Sequence, residues 1–375
     1  MITKLKHVKL LILATIPQET QMFGEYRKAN KLRYELFVAY LCLFLVCSVS
    51  QAETCGIYAL DNRQGTSYGK GSLREKRFEK VKNINFVTGY AWRQNWSFFE
   101  LNQGMYDFYP LDFILDKVST QNKKLGILLK TKEPEYVVQN AQNTWEYINN
   151  NDSFVRPVPW DEYSTERYKH FIEKFANHEI NGTKLSDHPT LAYLTVEIPG
   201  LGWIRKRNKP LNNIPGYSRE KFINTVIQSL GIVVANFPHK TIATGIWRVK
   251  DSNRSPELWE ELRTKIISEF GGDVGFFMEN LAAEKDDLGE VTGYPNINFA
   301  STLFLSRDDV PIYFQALTSW RRPFTGADKV KGGLPIDGIK YAQDTFNAKY
   351  FEIYVHDLIH ESYITGLKDW VNENC

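Results

Sequence analysis

Charge of one sign is what this sequence lacks most. Its 375 residues carry 46 Lys and Arg against 44 Asp and Glu, a formal net charge of +2. A nearly neutral field draws in neither a phosphate backbone nor an anionic membrane surface, so no nucleic-acid or membrane partner is expected. Cysteine is scarce, with 4 residues, and histidine nearly so, with 7. They form no His-Glu-x-x-His or clustered Cys/His spacing, so no metal is expected. The chain has no Gly-x-Ser-x-Gly elbow and no Gly-x-x-x-x-Gly-Lys phosphate loop, and no cofactor is expected either. Repeats, low-complexity tracts and long disordered linkers are also missing. No apolar run reaches the ~20 residues of a confident membrane span.

What is present begins with a leader. Arg27, Lys28, Lys31 and Arg33 precede the uncharged apolar run Leu36 to Val46, and Ser50-Gln51-Ala52 follows. A positive region, an apolar core and a small-x-small site read as a signal peptide cleaved after Ala52, with an uncleaved anchor as the alternative. Met22 is a candidate start, and residues 1–52 are set apart from a domain spanning 53–375. The expected location is secreted or periplasmic. Removing the leader takes Cys42 and Cys47 with it. Cys55 and Cys375 remain, near the two ends of the expected mature chain, and an even pair in an oxidising compartment is a disulfide candidate. Two unrelated thiols are the alternative.

Apolar, β-rich runs alternate with amphipathic helical ones along the domain. Strands are expected at Gly56–Leu60, Asn85–Trp92, Lys124–Lys130, Leu191–Glu197, Thr241–Trp247, Gly275–Leu281, Pro311–Leu317 and Tyr350–His356. Helices are expected at Leu111–Gln121, Thr165–His178, Arg219–Asn236, Glu257–Phe270 and Gly338–Phe346, with Ser164 and Ser218 as N-caps. Eight strands with helical crossovers predict an α/β fold, a single (β/α)8 TIM barrel. Long loops follow strands 3, 4 and 7, at residues 131–164, 198–217 and 318–337. All three fall on the face where barrel enzymes carry their sites.

Alternation along each strand sorts side chains into inward and outward sets. Tyr193, Thr195 and Glu197 face inward on strand 4, Phe277 and Glu279 on strand 6, and Tyr313 and Gln315 on strand 7. Strand 8 sends in Glu352, Tyr354 and His356. Three carboxylates, Glu197, Glu279 and Glu352, therefore enter the lumen. A buried carboxylate needs a partner or protonates, and a raised pKa suits a general acid. The alternative for each is a structural pairing with Arg or Tyr across the barrel. Aromatic content is 14%; the rings fill a large core or stack on the flat faces of a sugar.

Trp96-Ser97-Phe98-Phe99-Glu100, followed by Gly104 and Tyr106-Asp107-Phe108, resembles a signature that follows strand 2 in clan A glycoside hydrolases, the β-galactosidase and cellulase-like barrels. The resemblance implies hydrolysis of an oligo- or polysaccharide by an exported enzyme, which we expect to be a monomer. Glu197 matches the acid/base position ending strand 4, although Val196 stands where the family has Asn. Gln315 stands at the strand-7 position where the family has its nucleophilic Glu. Glu279 is then the candidate second carboxylate. Trp92, Trp203, Trp247, Gln315, Trp320 and Glu352 are the candidate substrate-binding residues, and Glu100 is read as structural. An amide cannot form a glycosyl-enzyme, so a non-catalytic carbohydrate-binding barrel is the second expectation.

Overall fold

The computed structural model describes residues 55–61, 72–149, 152–199, 211–245, 251, 256–285, 291–293, 300–321 and 333–375. The expected leader, Trp203 and Trp247 lie outside them. Eight parallel strands close into a barrel. They are β1 (Gly56–Asp61), β2 (Val87–Asn95), β3 (Lys124–Lys130), β4 (Leu191–Val196), β5 (Thr241–Thr244), β6 (Val274–Leu281), β7 (Ile312–Ala316) and β8 (Tyr350–Tyr354). Each is followed by a helix, respectively α1 (Leu73–Val81), α2 (Tyr109–Ser119), α3 (Glu162–Asn177), α4 (Arg219–Asn236), α5 (Pro256–Phe270), α6 (Ala300–Ser306), α7 (Pro335–Phe346) and α8 (Glu361–Asn374). The seam is closed by β1, which pairs with β2 on one side and β8 on the other.

The helices form where apolar residues recur at i, i+3, i+4 and i+7. In α2 these are Leu111, Ile114, Leu115 and Val118, and in α3 Tyr168, Phe171, Ile172 and Phe175, all buried against the sheet. Ser218 caps α4, its side chain accepting from Lys221 N at 3.2 Å. Ser164 does not cap α3. That helix starts three residues earlier, where Asp161 accepts from Ser164 N at 2.9 Å and also from Asn143 N at 2.8 Å. A carboxylate that satisfies a helix end and a loop together outcompetes a hydroxyl for the position.

Strand 8 is shorter than expected. Tyr354 ends it and a helical turn, Val355–Leu358, follows, so His356 leaves the lumen for a cavity of about 480 Å³ shared with Arg321, Ile359 and His360. The loop after β3 holds a helix (Glu135–Asn140) and a hairpin of Thr144–Asn149 with Asp152–Pro157.

Tyrosines fill the bottom of the lumen. Tyr58, Tyr193, Tyr313 and Tyr350, from β1, β4, β7 and β8, are buried there together. Tyr313 and Tyr350 stack with centroids 4.1 Å apart, and Tyr58 meets Tyr193 edge-on at 5.0 Å. Glycines on neighbouring strands make the room. A Cβ at Gly89 would come within 2.5 Å of the Tyr58 ring, one at Gly126 within 2.1 Å of Tyr193, and one at Gly275 within 2.9 Å of Tyr313.

Cys55, just before β1, and Cys375, after α8, form a disulfide with Cα atoms 5.5 Å apart and a sequence separation of 320. Cross-links over long loops restrict the unfolded chain most, and loss of a native one costs about 2–5 kcal/mol. Replacing both cysteines by serine should lower the Tm by roughly 5–10 °C. An unchanged melting curve in the double variant would show that the bond adds nothing to stability. Among the described residues, no helix is long and apolar enough to cross a membrane.

Candidate active site at the barrel mouth

The period of two that places tyrosines at the floor places polar groups directly above them. Two residues beyond Tyr193 is Thr195, beyond Tyr313 is Gln315, and beyond Tyr350 is Glu352. On β2 the inward series runs Gly89, Ala91, Arg93, and on β6 it runs Gly275, Phe277, Glu279. The five groups from β2, β4, β6, β7 and β8 thus share the C-terminal half of the lumen, where the strand-to-helix loops begin.

Their partners define the site. Arg93 Nη2 lies 3.2 Å from Glu279 Oε1, an ion pair across the lumen with Glu279 the more exposed member. Glu279 falls in an irregular stretch of β6, where the register against β7 jumps from Met278↔Phe314 to Leu281↔Ala316. An extra residue there bulges the strand, a device that re-aims a side chain at a barrel rim. Glu352 Oε1 accepts from the Tyr193 hydroxyl at 2.9 Å. Burial pushes the Glu352 carboxyl up to about 7; the Arg93 charge and the Tyr193 hydrogen bond pull it down, and the Glu279 charge pushes it up further. The pairings with Arg and Tyr that the structural alternative required are therefore present for Glu279 and Glu352. Even so, several atoms are left over. Arg93 Nε, Thr195 Oγ1, Gln315 Oε1 and Glu352 Oε2 are buried and have no hydrogen-bond partner among the described residues. A buried polar atom left in this state costs about 1–3 kcal/mol. Four of them, around one lumen, fit a site that a polar ligand completes.

Glu197 directly follows β4, partly exposed, with its backbone N–H bonded to Leu129 O. Its charge acts on Tyr168 of α3, whose hydroxyl is raised chiefly by burial and secondarily by Glu197. Trp92 does not line the mouth. It is 0% exposed and sits edge-on to Phe99 at 5.8 Å, in the layer between sheet and helices. Its parity on β2 is opposite to that of Arg93, which explains the misplacement. Trp320 is half-buried, packs against Ala282 and faces the start of α7 at Gly338.

Two carboxylates hold the loops around the mouth. Asp357 is fully buried after β8 and accepts from Ser319 Oγ at 2.9 Å, Trp320 N at 3.2 Å and Arg321 N at 2.9 Å. It thereby fixes the start of the β7–α7 connection, and burial lifts its carboxyl to about 6 despite these donors. Glu100, also fully buried, accepts from Trp96 Nε1 at 2.8 Å, Gly104 N at 2.9 Å and Arg167 Nη2 at 3.0 Å. The Trp-x-x-x-Glu spacing is thus a hydrogen-bonded brace of the β2–α2 loop. Sequence reasoning did not single out Arg93 and gave Asp357 no part in holding the loop. The small-residue alternation Gly89, Ala91 before Arg93 was the available signal for the first; nothing local marks the second.

A groove of about 770 Å³ on the outer helix layer, between α4 and α5, is lined by Glu220, Glu257, Glu260 and Glu261 among others. It is formed by side chains of the two helices and takes no residue from a barrel strand, so the barrel mouth is the better candidate.

No family model matches the sequence, and no curated protein matches it. Solved structures do. A β-galactosidase from Rahnella sp. R3 is 11% identical with a TM-score of 0.51, over 86% of this chain and 56% of that one. A β-galactosidase from the psychrophilic Marinomonas ef1 is 10% identical with a TM-score of 0.50, over 85% and 59%. A third structure, described as a glycoside hydrolase, is 15% identical with a TM-score of 0.44, over 80% and 88%. The chain thus spans little more than half the length of the two β-galactosidases. At these identities the likeness is one of fold. The chain has a (β/α)8 barrel fold, and the two β-galactosidases share it.

Proposed function

We propose that this barrel acts on a glycan, as an exported glycoside hydrolase-like protein with its site at the barrel mouth. The observation that carries the reading is the set of buried donor and acceptor atoms around one lumen, on Arg93, Thr195, Gln315 and Glu352, that have no hydrogen-bond partner among the described residues. A polyol, whose hydroxyls both donate and accept, satisfies such a mixed set. A purely apolar or purely anionic ligand does not. Trp320, and Trp203 and Trp247 beyond the described residues, are the candidates for stacking on sugar faces. The Cys55–Cys375 disulfide supports the exported location, since such bonds persist in oxidising compartments.

In the hydrolytic reading Glu197, at the end of β4, is the general acid/base. Glu279, paired with Arg93, is the second carboxylate. Substituting either by Gln should reduce kcat on an aryl glycoside by roughly 10²–10⁴, with binding retained. Unchanged turnover in both E197Q and E279Q would exclude the assignment. A second reading, a glycan-binding barrel without turnover, is favoured by Gln315, because an amide in that position cannot attack an anomeric carbon. A glycan array beside a panel of 4-nitrophenyl glycosides separates the two: binding with turnover supports the hydrolase, and saturable binding without it supports the module.

A further inference from the structure

Gln315 and Glu352 are register partners on β7 and β8, both inward, and each is 3% exposed. Each has one polar atom engaged and one left over. Gln315 Nε2 donates to Ala316 O at 3.2 Å, which leaves Oε1 as a bare acceptor. Glu352 Oε1 accepts from the Tyr193 hydroxyl at 2.9 Å, which leaves Oε2 without a hydrogen-bond partner among the described residues. Two buried atoms in this state, on residues paired in register, point to a ligand that supplies both bonds.

We propose that these two side chains form a hydroxyl-reading pair in which Glu352 works as a neutral carboxylic acid, its Oε2–H donating to a sugar hydroxyl while Gln315 Oε1 accepts from one. The inference rests on the glycan reading above and deepens it, since it names the sugar class and the protonation state that binds. An ionised Glu352 would offer only acceptors beside another acceptor, so a single hydroxyl could satisfy one of them and two hydroxyls would both have to donate. The neutral acid turns the pair into donor and acceptor, the complement of a single O–H or of two neighbouring ones. A sugar carboxylate is disfavoured here, because it would meet Gln315 Oε1 and because the charge of Arg93 in this lumen is already paired with Glu279. Neutral sugars are therefore the class selected.

The surroundings keep the acid neutral. Tyr58 of β1 is a register partner of Glu352, Arg93 of β2 and Glu279 of β6 act on it by charge, Tyr193 of β4 bonds it, and Tyr313 and Tyr350 belong to the floor below. Burial outweighs Arg93 and places the carboxyl at about 7. The Tyr193 and Tyr313 hydroxyls are held well above their ordinary value, first by burial, and stay protonated throughout the range that matters. The binding form is thus present below about pH 7 and is lost as the pH rises through it.

Ligand-observed NMR titrations of the full chain with D-galactose, D-glucose and D-xylose at pH 5.5 and 8.5 test this. At least one sugar should bind at pH 5.5 and weaken by about 30-fold at pH 8.5, the ratio of neutral Glu352 at the two values. E352Q carries a permanently neutral donor and should bind about equally at the two pH values, whereas E352A should lose binding at both. E279Q should move the midpoint to lower pH, because the Glu279 charge pushes the carboxyl up. Wild-type affinity equal at both pH values, or E352Q with the wild-type pH dependence, overturns the donor role and leaves the glycan reading standing. Failure of all three sugars at both pH values, together with silence on the glycan array, overturns both.

Discussion

Glu100→Ala is expected to destabilise the fold by about 3–5 kcal/mol, because it strands a guanidinium inside the protein. Glu100 takes hydrogen bonds from Trp96 Nε1, Gly104 N and Arg167 Nη2, and all three donors lose their acceptor together. The Arg167 side chain is largely buried and would keep, among the described residues, only the Tyr136 hydroxyl, which accepts from its Nε at 3.3 Å. Gly104, at a φ of +76°, sits in a tight turn, and the carboxylate accepts from its N–H. The hairpin Glu100–Asn102 with Met105–Tyr106, which the carboxylate braces, should loosen as well. Urea unfolding measures the effect. Glu100→Gln keeps one acceptor and should lose less, since the amide cannot serve all three donors. A loss below about 1 kcal/mol in the Ala variant, the scale of an ordinary hydrogen bond, would mean that the brace is redundant.

Gly126→Ala should be nearly as damaging for the opposite reason: too much material in a filled space. Its Cβ would lie 2.1 Å from Tyr193 Cζ and 2.4 Å from the Tyr193 hydroxyl oxygen. That ring is wedged against Tyr58, Tyr313 and Tyr350 and tied to Glu352, so it has nowhere to retreat. Overpacking of this kind costs about 3 kcal/mol. The partner substitution Tyr193→Leu removes the obstructing ring and creates its own cavity, yet the double variant should be more stable than the sum of the singles predicts. Additivity within about 0.5 kcal/mol would show that the two residues do not compete for the same volume.

Much of the barrel was legible in the sequence because its signals are local. Lys124–Lys130 and Arg219–Asn236 coincide end to end with β3 and α4. The first has flanking lysines around an apolar core, and the second has a serine cap. Helix α1 escaped notice because its sequence, Leu-Arg-Glu-Lys-Arg-Phe-Glu-Lys-Val, shows few apolar positions to set a period. Boundaries slipped where a distant partner decides them, as at α3, whose cap Asp161 also bonds the loop at Asn143.

The site was less legible for the same reason. Parity on strands correctly turned Glu279, Gln315 and Glu352 inward, and the spacing of Glu100 from Trp96 marked a brace. No window of sequence, however, says that Arg93 meets Glu279, 186 positions on, or that Asp357 receives three bonds from the loop after β7. Trp92 shows the hazard of an aromatic read without its neighbours. One position along the strand separates a ring in the helix layer from a charge in the lumen.

The bond between Cys55 and Cys375 makes the intervening polypeptide a covalent ring. A protease that cuts once anywhere inside it, at an exposed loop for instance, produces two fragments that cannot part. They remain joined at the β1–α8 corner, and a denaturing gel run without reductant shows a single species near the original mass. Adding reductant resolves it into two. In an environment with active proteases, the barrel therefore tolerates a nick that would otherwise shed strands, and the number of bands on such a gel reads out whether the ring had closed.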